Sequence, residues 1–260
     1  MNVRRAMASE AYRLAMESGS ATAVVAQLRV GGVSVREVVT AQLAKLHDCD
    51  ARTRAVAWFE DDVVRREAER LDQLYAHERS AIGALHGLPI TVKDWIDVDG
   101  FPCVGTSGRT DRRPAEDAVV IRRLRAAGAV VIAKTKAWGP VAPAEGYVRH
   151  PTHAERMPGG SSTGEAVVVA TGASFVGVGS DSGGSVRLPA SWCGAVGVKP
   201  TAGLVPTTGH YPRVGDRHDG RTQIGPIARS VDDALLLLTV MSERDDDAST
   251  PPVEMPWSAA

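Results

Sequence analysis

The chain has 260 residues and a mass of 27.5 kDa, and 43% of its residues are hydrophobic, which is enough to build a globular core. Its 30 basic and 31 acidic side chains give a net charge of -1, which argues against binding to nucleic acid or to an anionic membrane. The three cysteines form no CxxC pair and predict neither a disulfide framework nor a zinc site. The uncharged run 166–180 is short and glycine-rich for a membrane span. We therefore expect a cytoplasmic protein.

Residues 1–80 predict an N-terminal helical arm. Ser34 followed by Glu37 is a capping box at the start of a helix over 35–47. Apolar residues then recur with the spacing of one helix face over 64–75. This arm contains no cluster of residues that suggests chemistry.

Residues 88–94, LPITVKD, predict a buried strand that ends at Lys93. From spacing alone, the simplest interpretation of this lysine is a salt bridge to Asp94 or Asp97. An amphipathic helix and a strand follow over 117–133. This alternation predicts an α/β fold in which a mixed sheet lies between helices.

Two serines follow glycine pairs in the central stretch 158–200: Ser161 in GGSS and Ser185 in GGSV. Ordering a glycine costs more backbone entropy than ordering other residues, so glycine pairs are expected where the backbone needs unusual dihedrals or must approach a ligand. The intervening sequence predicts a short buried helix over 165–173 and a strand over 175–179. Because a helix and a strand in opposite directions return the chain to its start, we expect the two serines within hydrogen-bond reach.

Residues 201–227 are rich in glycine, proline, threonine and charge, and they predict a long ordered loop over this site. His210 and His218 lie in the loop, where histidines are usually solvated, so a substrate contact is the minority interpretation. An apolar helix follows, and residues 245–260 predict a disordered tail.

A serine nucleophile needs a base and donors for the developing oxyanion, and the sequence offers two candidate bases. Residues 160–164 fit GxSxG, which would place Ser162, Asp181 and His210 in the order of an α/β-hydrolase triad. That motif requires a strand directly before the serine, whereas the preceding residues are polar and contain proline. We therefore interpret this match as a coincidence of a Gly/Ser-rich loop. The second candidate base is Lys93, acting through a second serine.

Three segments resemble the signature blocks of the amidase signature family. They are GLPITVKD with Lys93, PGGSS with Ser161 and GSDSGGSVRLPAS with Ser185, in that order. The two serines are 24 residues apart, a spacing similar to that in the family. The resemblance implies an α/β fold whose mixed sheet is flanked by helices, with the signature core over 81–244. Family members usually continue well beyond the end of this chain, so it also implies that the C-terminal half of the usual fold is absent.

The resemblance implies a Ser-Ser-Lys triad. Ser185 would be the nucleophile, Ser161 the proton bridge after a cis peptide bond with Gly160, and Lys93 the base. A lysine must be neutral to accept a proton, so burial would have to lower its pKa from about 10.4 to about 7–8.

The resemblance further implies an oxyanion site and a set of supporting residues. Backbone amides of 182–185 would bind the oxyanion, with Ser182, Gly183 and Gly184 contacting the substrate and the glycines leaving room for it. Hydrogen bonds from further residues would hold the loops in place; these residues are Gly160, Ser162, Ser180, Asp181 and Arg187.

The implied function is a hydrolase that cleaves the C–N bond of a small-molecule amide without a metal or cofactor. Ser185 would attack the carbonyl, Ser161 would relay its proton to Lys93, and water would hydrolyse the acyl-enzyme. The sequence does not identify the amide. Trp95, Trp138 and Trp192 are candidates to line an acyl pocket, although core packing is the commoner role of such residues.

Two alternatives stay open at this point. One is an inactive, truncated homologue that binds an amide or a partner protein through an exposed sheet edge, in which case self-association into a homo-oligomer is expected. The other is an amidotransferase-type subunit that passes an acyl group or ammonia to a partner, in which case activity depends on a second protein.

Overall fold

The computed structural model describes residues 10, 13–79, 82–105, 112–137, 147–214 and 220–242. Its strands are β1 (Val56–Trp58), β2 (Pro89–Lys93), β3 (Val130–Thr135), β4 (Val176–Asp181), β5 (Val196–Gly197) and β6 (Gln223–Ala228). The helices are α1 (Ala21–Val30), α2 (Val35–Thr53), α3 (Asp61–His77), α4 (Val119–Ala126), α5 (Thr163–Ala170), α6 (Arg187–Cys193) and α7 (Val231–Met241). The predicted disordered tail lies outside the described residues.

The six strands form one mixed sheet in the order β1-β3-β2-β4-β6-β5. β2 pairs in parallel with both β3 and β4, whereas the pairings of β1 with β3, β4 with β6 and β5 with β6 are antiparallel. Every residue of β2, β3, β4 and β6 is buried, as expected for a sheet covered on both faces. The predicted α/β fold with a mixed sheet is confirmed.

The parallel pairing of β2 and β4 determines where the site lies. The carboxyl ends of parallel neighbours meet at the same edge of a sheet, which is where open α/β sheets bind ligands. β2 ends at Lys93 and β4 ends at Asp181, so these two residues lie at that edge. The buried helix α5 connects the serine loop before it to β4 after it.

The N-terminal arm departs from the prediction in one respect. The predicted capping box is present, since the Ser34 side chain accepts from the Glu37 amide and the Glu37 carboxylate accepts from the Ser34 amide. However, the arm is not wholly helical, because β1 adds an antiparallel edge strand next to β3. Apolar residues of α1, α2 and α3 also belong to the same hydrophobic cluster as the sheet.

The loop predicted over 201–227 is shorter than expected, because its last residues form β6 along the edge of β4. β6 contains Gly225 and Pro226, residue types that disfavour strands, which explains why the sequence pattern did not indicate one. Within the described residues, no helix is both long enough and apolar enough to cross a membrane.

Candidate active site

Lys93 is fully buried at the end of β2, and its amine contacts two serines. Its Nζ lies 2.7 Å from Ser161 Oγ, 3.0 Å from Ser180 Oγ and 3.4 Å from the Ser180 carbonyl oxygen. The same atom lies 4.1 Å from the ring centroid of Trp95. The lysine amine therefore faces hydroxyl groups, and its side chain is not exposed to solvent.

The salt bridge that spacing alone suggested for Lys93 is not formed. Asp97 instead pairs with Arg112, at 2.6 Å between a carboxylate oxygen and the guanidinium. Asp94 accepts hydrogen bonds from the backbone amides of Val104 and Gly105. Both carboxylates are engaged elsewhere, which leaves the lysine amine to the serines.

Burial changes the protonation of Lys93. Removing the ammonium group from water lowers its pKa to about 7, although the negative charges of Asp181, Glu165 and Asp94 partly oppose this shift. A lysine with such a pKa is neutral in about half of the molecules at neutral pH. It can therefore accept a proton, as a general base must.

The loop before α5 carries Ser161 to the lysine. The Gly160–Ser161 peptide is cis, as expected from the family resemblance. Gly159 has a φ of +78°, and a Cβ atom there would come within 2.9 Å of the Pro189 backbone, so only glycine fits. The Ser162 hydroxyl donates to the Ser180 carbonyl at 3.3 Å and holds the loop against β4.

The backbones of the two serine loops are hydrogen-bonded to each other. The amide of Ser162 donates to the carbonyl of Ser185 at 3.0 Å, which brings Ser185 beside Ser161. The Ser185 side chain is partly exposed, and within the described residues its hydroxyl has no hydrogen-bond partner. The structure thus contains the Lys93–Ser161 hydrogen bond but no hydrogen bond between the Ser161 and Ser185 hydroxyls.

Asp181 anchors the loop that carries Ser185. Its buried carboxylate accepts from the amides of Gly184 at 2.7 Å, Val186 at 3.1 Å and Arg187 at 3.2 Å. The Arg187 guanidinium adds two hydrogen bonds, at 2.9 and 3.0 Å. Burial alone would raise the pKa of Asp181, but these donors outweigh it and hold the pKa well below its ordinary value.

The expected oxyanion site needs a correction at Gly184. Its N–H is donated to Asp181, so this amide is not available to a substrate oxygen. In the described part of the chain, the amides of Ser182, Gly183 and Ser185 have no backbone or side-chain acceptor. Gly183 is exposed, and a Cβ atom there would meet no heavy atom within 4 Å. Ser182 is exposed as well, and Ser185 is partly exposed.

We expect Asp181→Asn to lower the free energy of unfolding by about 1–3 kcal/mol and to slow any reaction at Ser185. An asparagine amide offers a donor where the loop presents only N–H groups, so at least one backbone amide loses its acceptor. Urea unfolding measures the change. The control is Arg187→Gln, which keeps the backbone hydrogen bonds and should cost much less than Asp181→Asn, because the Arg187 side chain is half exposed. Equal losses in both variants would contradict anchoring by the amides.

His210 was expected to be solvated, and this expectation is wrong. The side chain is buried, and its Nε2 lies 2.8 Å from Ser180 Oγ while its Nδ1 lies 2.7 Å from the Pro212 carbonyl oxygen. An isolated bridge between Ile96 and His210 brings the loop against the end of β2. No local pattern in the sequence indicated this contact, because the partner on β4 is 30 residues away.

The alternative triad of Ser162, Asp181 and His210 is not assembled. The Ser162 hydroxyl donates to a carbonyl, and the Asp181 carboxylate binds the loop amides and Arg187. His210 contacts Ser180 and Pro212 instead. This agrees with the interpretation of the GxSxG match as a coincidence.

A buried carboxylic acid, Glu165, lies near the lysine and was missed by the sequence interpretation. Its two oxygens accept from the hydroxyls of Thr91 and Thr135, each at 2.8 Å. Burial raises its pKa to about 8, although the two threonine hydrogen bonds partly offset this. Protonation of Glu165 would remove one of the three negative charges that favour the ammonium form of Lys93.

Of the three tryptophans that were candidates to line an acyl pocket, one lies beside Lys93. Trp95 lies against the Lys93 amine and meets the His210 ring edge-on at 6.1 Å between centroids. Trp192 is 54% exposed on α6. Trp138 and His218 lie outside the described residues.

In the described ranges, no group of three or more His, Cys, Asp or Glu side chains could hold a metal ion.

The chain is similar to known proteins in both sequence and fold. Residues 37–259 match the family model described as Amidase. A glutamyl-tRNA(Gln) amidotransferase subunit from Cyanothece sp. is 37% identical over 224 residues, which are 84% of this chain and 45% of that protein. The putative amidase AmiB2 of Mycobacterium tuberculosis is 40% identical over 233 residues, which are 84% of this chain and 47% of that protein.

A solved structure with the same fold is the native peptide amidase from Stenotrophomonas maltophilia. It matches with a TM-score of 0.80 and 32% sequence identity, over 90% of this chain and 51% of that chain. The chain thus spans about half the length of the curated relatives and of the solved structure that it matches.

Proposed function

The chain belongs to the amidase signature family, and from this premise we propose that it hydrolyses the C–N bond of a small carboxylic amide through an acyl-enzyme on Ser185. The observation that carries the proposal is the 2.7 Å hydrogen bond between the fully buried amine of Lys93 and the hydroxyl of Ser161. The residue after Ser161, Ser162, is hydrogen-bonded through its backbone amide to the carbonyl of Ser185. A neutral lysine, a bridging hydroxyl and an accessible hydroxyl are the groups that this reaction needs.

In the proposed mechanism, the Ser185 hydroxyl turns toward Ser161 when an amide binds. Catalytic hydrogen bonds often tighten only with substrate, so the absence of this bond in the free protein is compatible with the role. Ser185 Oγ attacks the carbonyl carbon while its proton passes to Ser161 Oγ and the Ser161 proton passes to Lys93 Nζ. The same relay then protonates the leaving nitrogen, and the C–N bond breaks.

The oxyanion of the tetrahedral intermediate would be bound by backbone amides of the loop after β4. We propose those of Ser182, Gly183 and Ser185, since the Gly184 amide is donated to Asp181. Asp181 fixes this loop before substrate arrives, and preorganised donors of this kind are a main source of rate enhancement. Water then attacks the acyl-enzyme, with Ser161 and Lys93 removing its proton.

A second candidate function is that of an amidotransferase component, favoured by the similarity to the amidotransferase protein from Cyanothece sp.. It would use the same acyl-enzyme chemistry and pass the released ammonia to a partner. Ammonia release from hexanamide, benzamide and glutamine, measured with the purified chain alone, distinguishes the two. Release without a partner supports the hydrolase, whereas release that requires a second protein supports the amidotransferase.

We expect kcat/KM for amide hydrolysis to rise with pH and to level off above an apparent pKa of about 7, the pKa of Lys93. Because burial lowers this pKa, the reactive neutral lysine is present above that value and is lost as the pH falls through it. Below it, the rate should drop about tenfold per pH unit. A pH profile with an amide that does not itself ionise checks this expectation, and a limb near the ordinary lysine pKa would contradict it.

A further inference from the structure

A line of hydrogen bonds continues from Lys93 beyond the proposed triad. Ser180 Oγ lies 3.0 Å from Lys93 Nζ on one side and 2.8 Å from His210 Nε2 on the other. We infer that His210 is a positioning residue, which acts through Ser180 to direct the lone pair of Lys93 toward Ser161. This inference rests on the proposed role of Lys93 as the base.

The tautomer of His210 follows from its second contact. The Pro212 carbonyl oxygen, 2.7 Å from Nδ1, can only accept, so Nδ1 carries the hydrogen. A neutral imidazole is part of the inference, and in it Nε2 is then the acceptor. The 2.8 Å contact with Ser180 is therefore donated by the serine hydroxyl.

This assignment fixes what Ser180 offers to the lysine. A serine hydroxyl has one hydrogen, and here it is donated to His210. Toward Lys93, Ser180 Oγ is left as an acceptor, and the Ser180 carbonyl at 3.4 Å is also only an acceptor. The two hydrogens of a neutral Lys93 amine are used by these two oxygens. Its lone pair is left to face the Ser161 hydroxyl at 2.7 Å.

Without His210, the Ser180 hydrogen is free to turn toward Lys93. The lysine lone pair would then accept from Ser180 rather than from Ser161, and a base engaged in this way cannot take the proton of the nucleophile. Removing His210 would impair proton transfer and not substrate binding. It should therefore lower kcat and leave KM almost unchanged. If Ser180 has no hydroxyl, this competition cannot occur.

The test is a double-mutant cycle of His210→Phe and Ser180→Ala, read as kcat, KM and the rate at which a fluorophosphonate labels Ser185. We expect His210→Phe to lower kcat and the labelling rate about 10- to 100-fold with KM within about twofold. In the Ser180→Ala background, the same change should have an effect of less than about twofold. His210→Gln, whose side-chain oxygen can accept from Ser180, should restore most of the rate.

Each other outcome overturns a defined part of the account. Equal rate losses in both backgrounds, or an unchanged rate in His210→Phe, overturn the positioning role. Absence of labelling in the unmodified chain overturns the proposed function itself. The control is His86→Phe, another buried histidine, which stacks on Tyr75 and should leave the rates unchanged.

A measurement on the unmodified chain keeps the inference testable if His210→Phe does not fold. The ¹⁵N chemical shifts of the His210 ring distinguish the two neutral tautomers. A hydrogen on Nδ1 supports the inference. A hydrogen on Nε2, in the other tautomer or in an imidazolium with both nitrogens protonated, overturns it, because Nε2 could not then accept from Ser180, which would be free to donate to Lys93.

Discussion

Ser185→Ala is expected to lower kcat for amide hydrolysis by about 10⁴-fold or more while the protein stays folded. The substitution removes the hydroxyl that attacks the carbonyl carbon in the proposed mechanism, so the acyl-enzyme cannot form. Ser185 is partly exposed, and replacing its hydroxymethyl side chain with a methyl group therefore leaves no buried polar group unpaired. Ammonia release by the variant, with circular dichroism to verify folding, measures the effect.

The matched control for this variant is Ser191→Ala. Ser191 is an exposed serine on α6, which begins two residues after Ser185, and it has no part in the proposed reaction. Its rate should stay within about twofold of the unmodified chain. A Ser185→Ala variant that keeps a tenth or more of the activity would show that another group is the nucleophile.

Lys93→Met is expected to lower kcat by about 10²- to 10⁴-fold, since general-base catalysis contributes a factor of this size. Methionine fills a similar volume and cannot accept a proton. The rates of acylation and of hydrolysis of the acyl-enzyme should both fall, because the same lysine assists both steps. Stopped-flow measurement of both steps with an activated ester and an amide checks this.

The chain contains a close control for that variant in Lys134 of β3. This second lysine is also fully buried, lies beside Val92 in the β2–β3 register, and has a pKa that burial lowers. Its amine contacts the carbonyl oxygens of Asp94 and Pro102, and no serine among the described residues. Lys134→Met should therefore keep its catalytic rate constants. Equal loss of activity in both variants would mean that any buried lysine supports the fold, and that Lys93 has no special role.

Short stretches of the sequence were enough to predict the fold, the family and the order of the three proposed catalytic residues. The predicted mixed α/β fold and amidase signature family are confirmed. Both could be predicted because the strand and helix patterns and the three glycine-rich blocks each lie within a short stretch of sequence. The order Lys93, Ser161, Ser185 came from the same blocks. The structure brings the first two into contact and the third beside them through the Ser162–Ser185 backbone bond.

The sequence did not predict two kinds of contact, those between residues far apart in the chain and one that depends on the dihedrals of a loop. His210 and Ser180 are 30 positions apart, and Thr91 and Glu165 are 74 apart, so no periodic pattern links them. The engagement of the Gly184 amide by Asp181 depends on loop dihedrals, which residue types constrain only weakly. These contacts determine which way a hydrogen points and which amide is free, and therefore how the site would work.

The central claim is that Lys93 activates Ser185 through Ser161, and serine-directed labelling tests it most directly. The purified chain is treated with a fluorophosphonate, then examined by intact mass and peptide mapping, with Lys93→Met alongside. The account predicts a single adduct on Ser185 that is absent or strongly slowed in the Lys93 variant. No adduct on a folded chain, or an adduct that forms equally fast without Lys93, would contradict it.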